Sequence, residues 1–231
     1  MCGRYAMTSS AQALADVFSV EVLPEVLPRY NIAPTTQVPA VVVDDSGTRT
    51  LSLFRWGLIP SWSKDKKGGA RMINARSETV ASKPAFRAAF KRRRVLIVAD
   101  GFYEWERIGK GKAAKKIPHL IQVTGGVPFG MAGLWERWID AETDEEIRSC
   151  TIVTTEGNTL MQPIHDRMPV ILPEIHWERW LDPAVQDRDE LQEMLIPYDP
   201  DRMQERRVSK AVGNVRNQGP DVQGPYEESD G

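Results

Sequence analysis

The sequence is poor in the residues that build disulfide frameworks and hold metals. Its 231 residues include two cysteines, Cys2 and Cys150, and three histidines, His119, His165 and His176. Two cysteines do not make a disulfide scaffold, so a reducing cytoplasm is the expected setting. The histidines lack the close spacing of zinc ligands, and Cys150 has no neighbouring cysteine. No GxxxxGK[ST] loop or GxGxxG turn is present, which removes the usual phosphate cradles of nucleotide cofactors. We therefore expect neither cofactor nor metal. No stretch approaches the ~18 continuous apolar residues of a membrane span, and the first residues lack the layout of a signal peptide. Charge of one sign is missing too: 30 Lys and Arg against 32 Asp and Glu leave a net charge of -2. Any polyanion must then be met by a local basic patch.

What is present points to one soluble globular unit, with 41% hydrophobic residues and enough length for a substantial core. No linker, repeat or low-complexity run divides the interior. Ser9 to Phe18 reads as a helix with capping serines and an apolar face of Ala11, Leu14, Ala15 and Phe18. After a Pro-rich stretch from Leu23 to Pro39, Val38–Val43 and Thr48–Trp56 read as strands around the turn Asp44-Asp45-Ser46-Gly47. Further strands are expected at Val95–Ala99, Leu120–Val123, Phe129–Trp135 and Cys150–Thr155, and short helices at Lys83–Phe90, Glu174–Leu181 and Asp187–Leu195. Strands that do not alternate regularly with helices predict a mixed, largely antiparallel α+β domain over 1–218. The Gly-, Pro- and acid-rich end, 219–231, is expected to be a loose tail. No exposed amphipathic helix calls for more than a monomer.

Cys2 is the most informative residue. Removal of Met1 would make it the amino terminus, with a primary amine and a thiol on adjacent carbons. That pair condenses with aldehydes to an imine and closes to a five-membered thiazolidine; a terminal thiol can also act as a nucleophile with its own amine as base. The competing reading is a small buried cysteine. Other polar residues share this ambiguity. Asn74 follows two apolar residues in Met72-Ile73-Asn74-Ala75-Arg76-Ser77-Glu78. Glu104 stands among aromatics in Gly101-Phe102-Tyr103-Glu104-Trp105, either as an acid/base of raised pKa or as an edge-strand acid facing water. His165 lies in the proline-bounded Pro163-Ile164-His165-Asp166-Arg167-Met168-Pro169, a proton shuttle or a plain surface imidazole.

Lys64-Lys66-Lys67, Lys91-Arg92-Arg93-Arg94 and the run from Lys110 to Lys116 are basic patches whose default is a solvated surface. Arg4, Arg76 and Arg167 each follow a candidate reactive residue by two positions, which suits phosphate contacts around one reacting centre. Trp56 and Trp62, in Trp56-Gly57-Leu58-Ile59-Pro60-Ser61-Trp62, are either exposed base-stacking platforms or core.

Taken in order with Cys2-Gly3-Arg4-Tyr5 and Arg29-Tyr30-Asn31-Ile32-Ala33-Pro34, these segments resemble the SRAP family (SOS-response-associated peptidase domain), whose members are abasic-site shielding proteins. Val208 to Asn217 resembles the closing segment of that family, so the resemblance runs from residue 2 to about 218. It implies a single α+β domain around a bent, barrel-like sheet that captures abasic sites in single-stranded DNA covalently. The catalytic residues would be Cys2, Asn74, Glu104 and His165. DNA contacts would come from Arg4, Asn31, Pro34, Trp62, Arg76 and Arg167. Two departures stand out: Val95-Leu96-Ile97-Val98 replaces a Cys-Leu-Val-Pro run common in relatives, and Ser63 stands where some carry a second aromatic. A hydrolase with a terminal nucleophile, its peptidase action confined to removing Met1, and a passive single-strand binding module remain the alternatives.

Overall fold

The computed structural model describes residues 2–20, 27–44, 46–109, 111 and 114–228. Part of the Pro-rich stretch, Asp45 of the predicted turn, three residues of the run from Lys110 and the last three residues lie outside that set. Among the described residues no helix is long and apolar enough to cross a membrane.

The most continuous apolar segments of the chain form a closed ring of strands. β3 (Gln37–Val43) and β4 (Arg49–Trp56) pair as a hairpin, β3 pairs with β6 (Arg94–Ala99), and β6 with β9 (Phe129–Ile139). β9 pairs with β10 (Glu146–Glu156), and β10 returns to β4 in parallel, so the ring β3–β4–β10–β9–β6 is closed. Closure removes the exposed edges of an open sheet. Every residue of β6 is buried, which explains why Val95 to Ala99 reads as an unbroken apolar run. Trp56, Phe54, Trp180 and Tyr5 are among the large side chains sealed inside, with Tyr5 edge-on to Trp56.

β10 outruns its neighbours. Its first half lies between β9 and β4. Past Cys150 it exchanges β4 for β5 (Asn74–Arg76) on one edge, and past Ile152 it exchanges β9 for β11 (Arg167–Pro169) on the other. A second sheet of five strands has the order β13 (Met203–Arg207), β8 (Lys115–Val123), β7 (Gly101–Ile108), β1 (Tyr5–Met7) and β2 (Arg29–Ile32). β1 is thus an interior strand, antiparallel to β2 on one side and to the central β7 on the other, with Cys2 just before it.

The helices are short, as expected. Ser10 caps α1 (Ala11–Phe18) through its side chain to the Ala13 N–H at 3.2 Å. The segment from Lys83 is turns until α2 (Arg87–Arg92), and Glu174 opens a 3₁₀ turn that continues into α3 (Trp177–Leu181). Asp187 caps α4 (Arg188–Glu193). β7, β8 and β13 extend beyond or outside the predicted strands because their outer residues are charged. The end expected to be loose is folded against the second sheet over 219–228: Val222 is buried, Val208 bridges to Pro225, and Gln223 donates to the Tyr103 hydroxyl at 3.0 Å.

Asp100, between β6 and β7, fastens the first strand. Its carboxylate accepts the backbone N–H groups of Thr8 and Ser9, the latter at 2.7 Å, and the Ser9 hydroxyl. The side chain is only 6% exposed, so these bonds are made where an unpaired charge is costly. Asp100→Ala is expected to lower the unfolding free energy by about 2–4 kcal/mol in urea titrations; a wild-type midpoint would remove Asp100 from this anchoring role.

Candidate functional site

The segments that carry the candidate residues meet where the second sheet abuts the upper half of β10. Cys2 is fully buried just ahead of β1. Its carbonyl oxygen accepts the Asn74 Nδ2–H at 2.8 Å, a bond that spans 72 residues of sequence and joins the two sheets. Asn74 is placed by its own strand: β5 pairs Asn74 with Ile152, and the preceding Ile73 carbonyl accepts both the Ile152 N–H at 3.0 Å and the Trp56 indole N–H at 2.9 Å. Trp56 is therefore a core residue that sets the backbone beside Asn74, not a stacking platform. Asn74 Oδ1 is buried and has no hydrogen-bond partner among the described residues. An unpaired buried acceptor costs about 1–3 kcal/mol and asks for a ligand donor or water.

Glu104 is 4% exposed on β7, so the edge-strand reading is wrong for it. Burial holds its carboxyl well above the usual carboxylate range, at about 7. The Cys2 thiol is also pushed up, first by burial and then by the Glu104 carboxylate. Its Sγ touches the Arg4 carbonyl oxygen at 4.0 Å. A thiol in this state rests protonated.

His165 is half-buried, and it shares with Glu104 a cleft of about 500 Å³ that also includes Trp105, Arg107, Lys116 and Gly213. The Arg167 backbone N–H donates to His165 Nδ1 at 3.0 Å, while Asp166 Oδ1 lies 2.9 Å from the same nitrogen. These contacts belong to different protonation states: the first needs a bare Nδ1, the second a protonated one. Burial lowers the His165 pKa, and Asp166 is exposed, so the neutral ring with hydrogen on Nε2 is the resting form.

The three arginines differ in what they hold. Arg76 is exposed and forms no ion pair among the described residues. Arg4 donates to Asn31 Oδ1 at 2.9 Å and to the Val212 carbonyl at 3.0 Å. Arg167 grips both carboxylate oxygens of Glu78, one at 3.1 Å, and reaches the Thr154 carbonyl at 2.6 Å. Asn31 is fully buried and donates to the carbonyls of Val212, Asn214 and Asn217, so it orders the 212–217 segment along the site. Pro34 is half-buried on the turn after β2. Trp62 is 66% exposed at the tip of a loop whose base is pinched by Gly57 and Gly69. A Cβ on Gly57 would lie 2.6 Å from the Gly69 carbonyl oxygen, and its φ of +127° favours glycine as well. Glu78 and Trp105 were not singled out from sequence, although each lies inside a motif that was; Asp100 and Arg107 carried no signal, and Lys116 belonged to a patch whose default was a solvated surface. Among the described residues no group of three or more His, Cys, Asp or Glu is arranged to hold a metal.

The Glu104 shift gives a stability signature. Its pKa is raised on folding, so the folded state holds a proton that the unfolded chain has lost between about pH 4.5 and 7. The stabilisation is fully present below 4.5 and disappears as pH rises through 7. Glu104→Gln removes this dependence. Its stability relative to wild type is expected to rise by about 2–3 kcal/mol between pH 4.5 and 8 in parallel urea titrations. A pH-independent difference would mean that Glu104 titrates normally.

The family model for SOS response associated peptidase (SRAP) matches residues 1–215. "Abasic site processing protein YoaM" of Bacillus subtilis is 43% identical over 220 residues, covering 94% of this chain and 95% of that protein. The Escherichia coli protein named YedK, also an abasic site processing protein, is 30% identical, with 96% and 98% covered. HMCES of Xenopus tropicalis, of the same descriptive name, is 32% identical, and the match spans 84% of this chain and 65% of that longer protein. A crystal structure of a Bacteroides thetaiotaomicron protein superposes with a TM-score of 0.84 at 28% identity, covering 96% of this chain and 99% of that one.

Proposed function

The chain belongs to the SOS response associated peptidase (SRAP) family, and from that premise we propose that it captures abasic sites in single-stranded DNA as a covalent adduct of Cys2. The observation that carries this reading is the enclosure of Cys2 between the Asn74 carboxamide, whose Oδ1 is unpaired, and a buried Glu104 that titrates near 7.

Loss of Met1 leaves the Cys2 α-amine as the terminal group. That amine attacks C1′ of the ring-opened deoxyribose, forming a C–N bond, and Glu104 protonates the departing hydroxyl so that water leaves and a Schiff base remains. The thiol is the weaker first nucleophile because it is held protonated. It adds second to the C=N carbon; its proton passes to the Glu104 carboxylate and the ring nitrogen takes one up. Aldehyde and aminothiol thus give thiazolidine and one water. An acid/base that titrates near working pH suits both proton transfers, and reversal would use the same group. Asn74 Oδ1 accepts a hydrogen from the terminal amine or the sugar. His165, neutral with its hydrogen on Nε2, serves the ring-opening proton transfer at the sugar oxygen.

Arg76 meets a phosphate directly, and Trp62 offers its exposed face to a base. Arg4 and Asn31 act through the 212–217 segment that they hold, and Pro34 borders the strand. Arg167 reaches a phosphate by exchanging its Glu78 carboxylate for it. A hydrolase reading is weaker, because peptide hydrolysis gives no role to the exposed Arg76 and Trp62.

Single-stranded DNA with one abasic site, mixed with protein confirmed by mass to begin at Cys2, is expected to give a heat-stable shifted band on a denaturing gel. Cys2→Ala gives none, and Glu104→Gln slows band formation by about 10²–10⁴-fold. No band from the wild-type protein would sink the covalent reading. Glu78→Gln frees Arg167 and is expected to steepen the fall of log K with log[salt] by up to about 0.7, the increment for one more neutralised phosphate; an unchanged slope would leave Glu78 as a purely structural partner.

A further inference from the structure

Arg107 and Lys116 face one another directly across the β7–β8 hairpin. Like charges in that position repel, and hairpins normally place a carboxylate opposite or diagonal to a cation. The surrounding charges follow that rule. Glu106 meets His119 at 3.2 Å and Arg207 at 3.5 Å, Glu205 meets His119 at 2.5 Å, Lys115 meets Glu228 at 3.0 Å, and Arg206 donates to the Gln223 carbonyl at 2.7 Å. Arg107 and Lys116 are exposed and make no hydrogen bond or ion pair among the described residues. Two opposed cations with no protein carboxylate beside them, on a hairpin whose other charges are paired, suit an anion.

The location supplies the class of anion. Both side chains line the cleft that also contains Glu104, Trp105 and His165. Trp105 is two residues before Arg107 on β7, about 7 Å along the strand and on the same face. Half-buried, it packs against the cluster of Tyr103, Leu120, Val208 and Val212 and lines the cleft beside the cation pair. A stacking platform followed by paired cations is the layout by which a single strand is tracked along a groove. We propose that Arg107 and Lys116 form a seat for one backbone phosphate of the lesion-bearing strand. It rests on the reading of this cleft as a single-stranded DNA site. A phosphate contact positions the strand and carries no base information, so this seat serves damaged and intact strands alike.

The test measures non-covalent binding in a Cys2→Ala background, by fluorescence anisotropy, to a single strand carrying a tetrahydrofuran abasic analogue. The double variant Arg107→Gln/Lys116→Gln is expected to flatten the slope of log K against log[salt] by about 0.7, the value for one phosphate on a single strand. Arg107→Lys with Lys116 intact keeps the wild-type slope. In protein that retains Cys2, the double variant is expected to need a higher DNA concentration than wild type for half-maximal crosslinking. An unchanged slope in the double variant overturns the seat, as does a strand that fails to bind the parent protein. Failure of the covalent reading looks different: wild type gives no crosslink, while salt-dependent binding and its response to the double variant persist.

Discussion

The site depends on one strand being longer than its partners. β10 spends its first half closing the barrel between β9 and β4, and its second half offers both edges to other segments. β5 takes one edge and brings Asn74 and Arg76; β11 takes the other and brings Arg167 with His165 just before it. A strand with two open edges needs cover, and here the cover is the candidate machinery itself. The hydrogen bond from Asn74 to the Cys2 carbonyl then joins this overhang to the second sheet. Residues 2, 74, 104 and 165, scattered along the chain, acquire one location from backbone pairing before any side-chain chemistry is considered.

The electrostatics follow from that enclosure. Cys2 and Glu104 are both withdrawn from water, and burial moves both away from their charged forms. In the reaction proposed above, a thiol held protonated and a carboxyl poised near neutrality favour an ordered sequence, amine first and thiol second. The cationic groups, in contrast, stand around the rim and are mostly occupied by internal acceptors: Arg4 by Asn31 and Val212, Arg167 by Glu78 and Thr154. Such partners orient the guanidinium groups before a ligand arrives, at the expense of a competition that a phosphate must win.

The apolar half of this architecture was legible in the sequence. Val38 to Val43 and Val95 to Ala99 announce buried strands because both faces of the barrel wall are covered. β7, β8 and β13 were seen partly or not at all, since their outer ends alternate charge with charge and no hydrophobic period survives. The site residues were legible as types within motifs, and the resemblance ordered them into roles. What could not be read were partnerships across long sequence separations. Asn31 is expected from the resemblance as a DNA contact, yet its carboxamide is consumed by carbonyls more than 180 residues away. The residues around Trp56 and Trp62 leave both readings open and only the resemblance picks out Trp62; the fold makes Trp56 a core indole and leaves Trp62 exposed on a loop with a pinched glycine base.

Complete burial of Cys2 also bears on chemoselectivity. A free aminothiol condenses with any small aldehyde it meets, including open-chain sugars and other metabolites that far outnumber DNA lesions. A reagent recessed in a protein wall behaves differently. Its encounter rate with a diffusing aldehyde is set by occasional opening of the wall, whereas an aldehyde tethered to a polymer is presented repeatedly by the contacts that hold the polymer. Under the capture reaction proposed above, the same recess that slows the thiol's intrinsic reactivity would protect it from metabolic titration, keeping it in reserve for an electrophile that arrives on a strand.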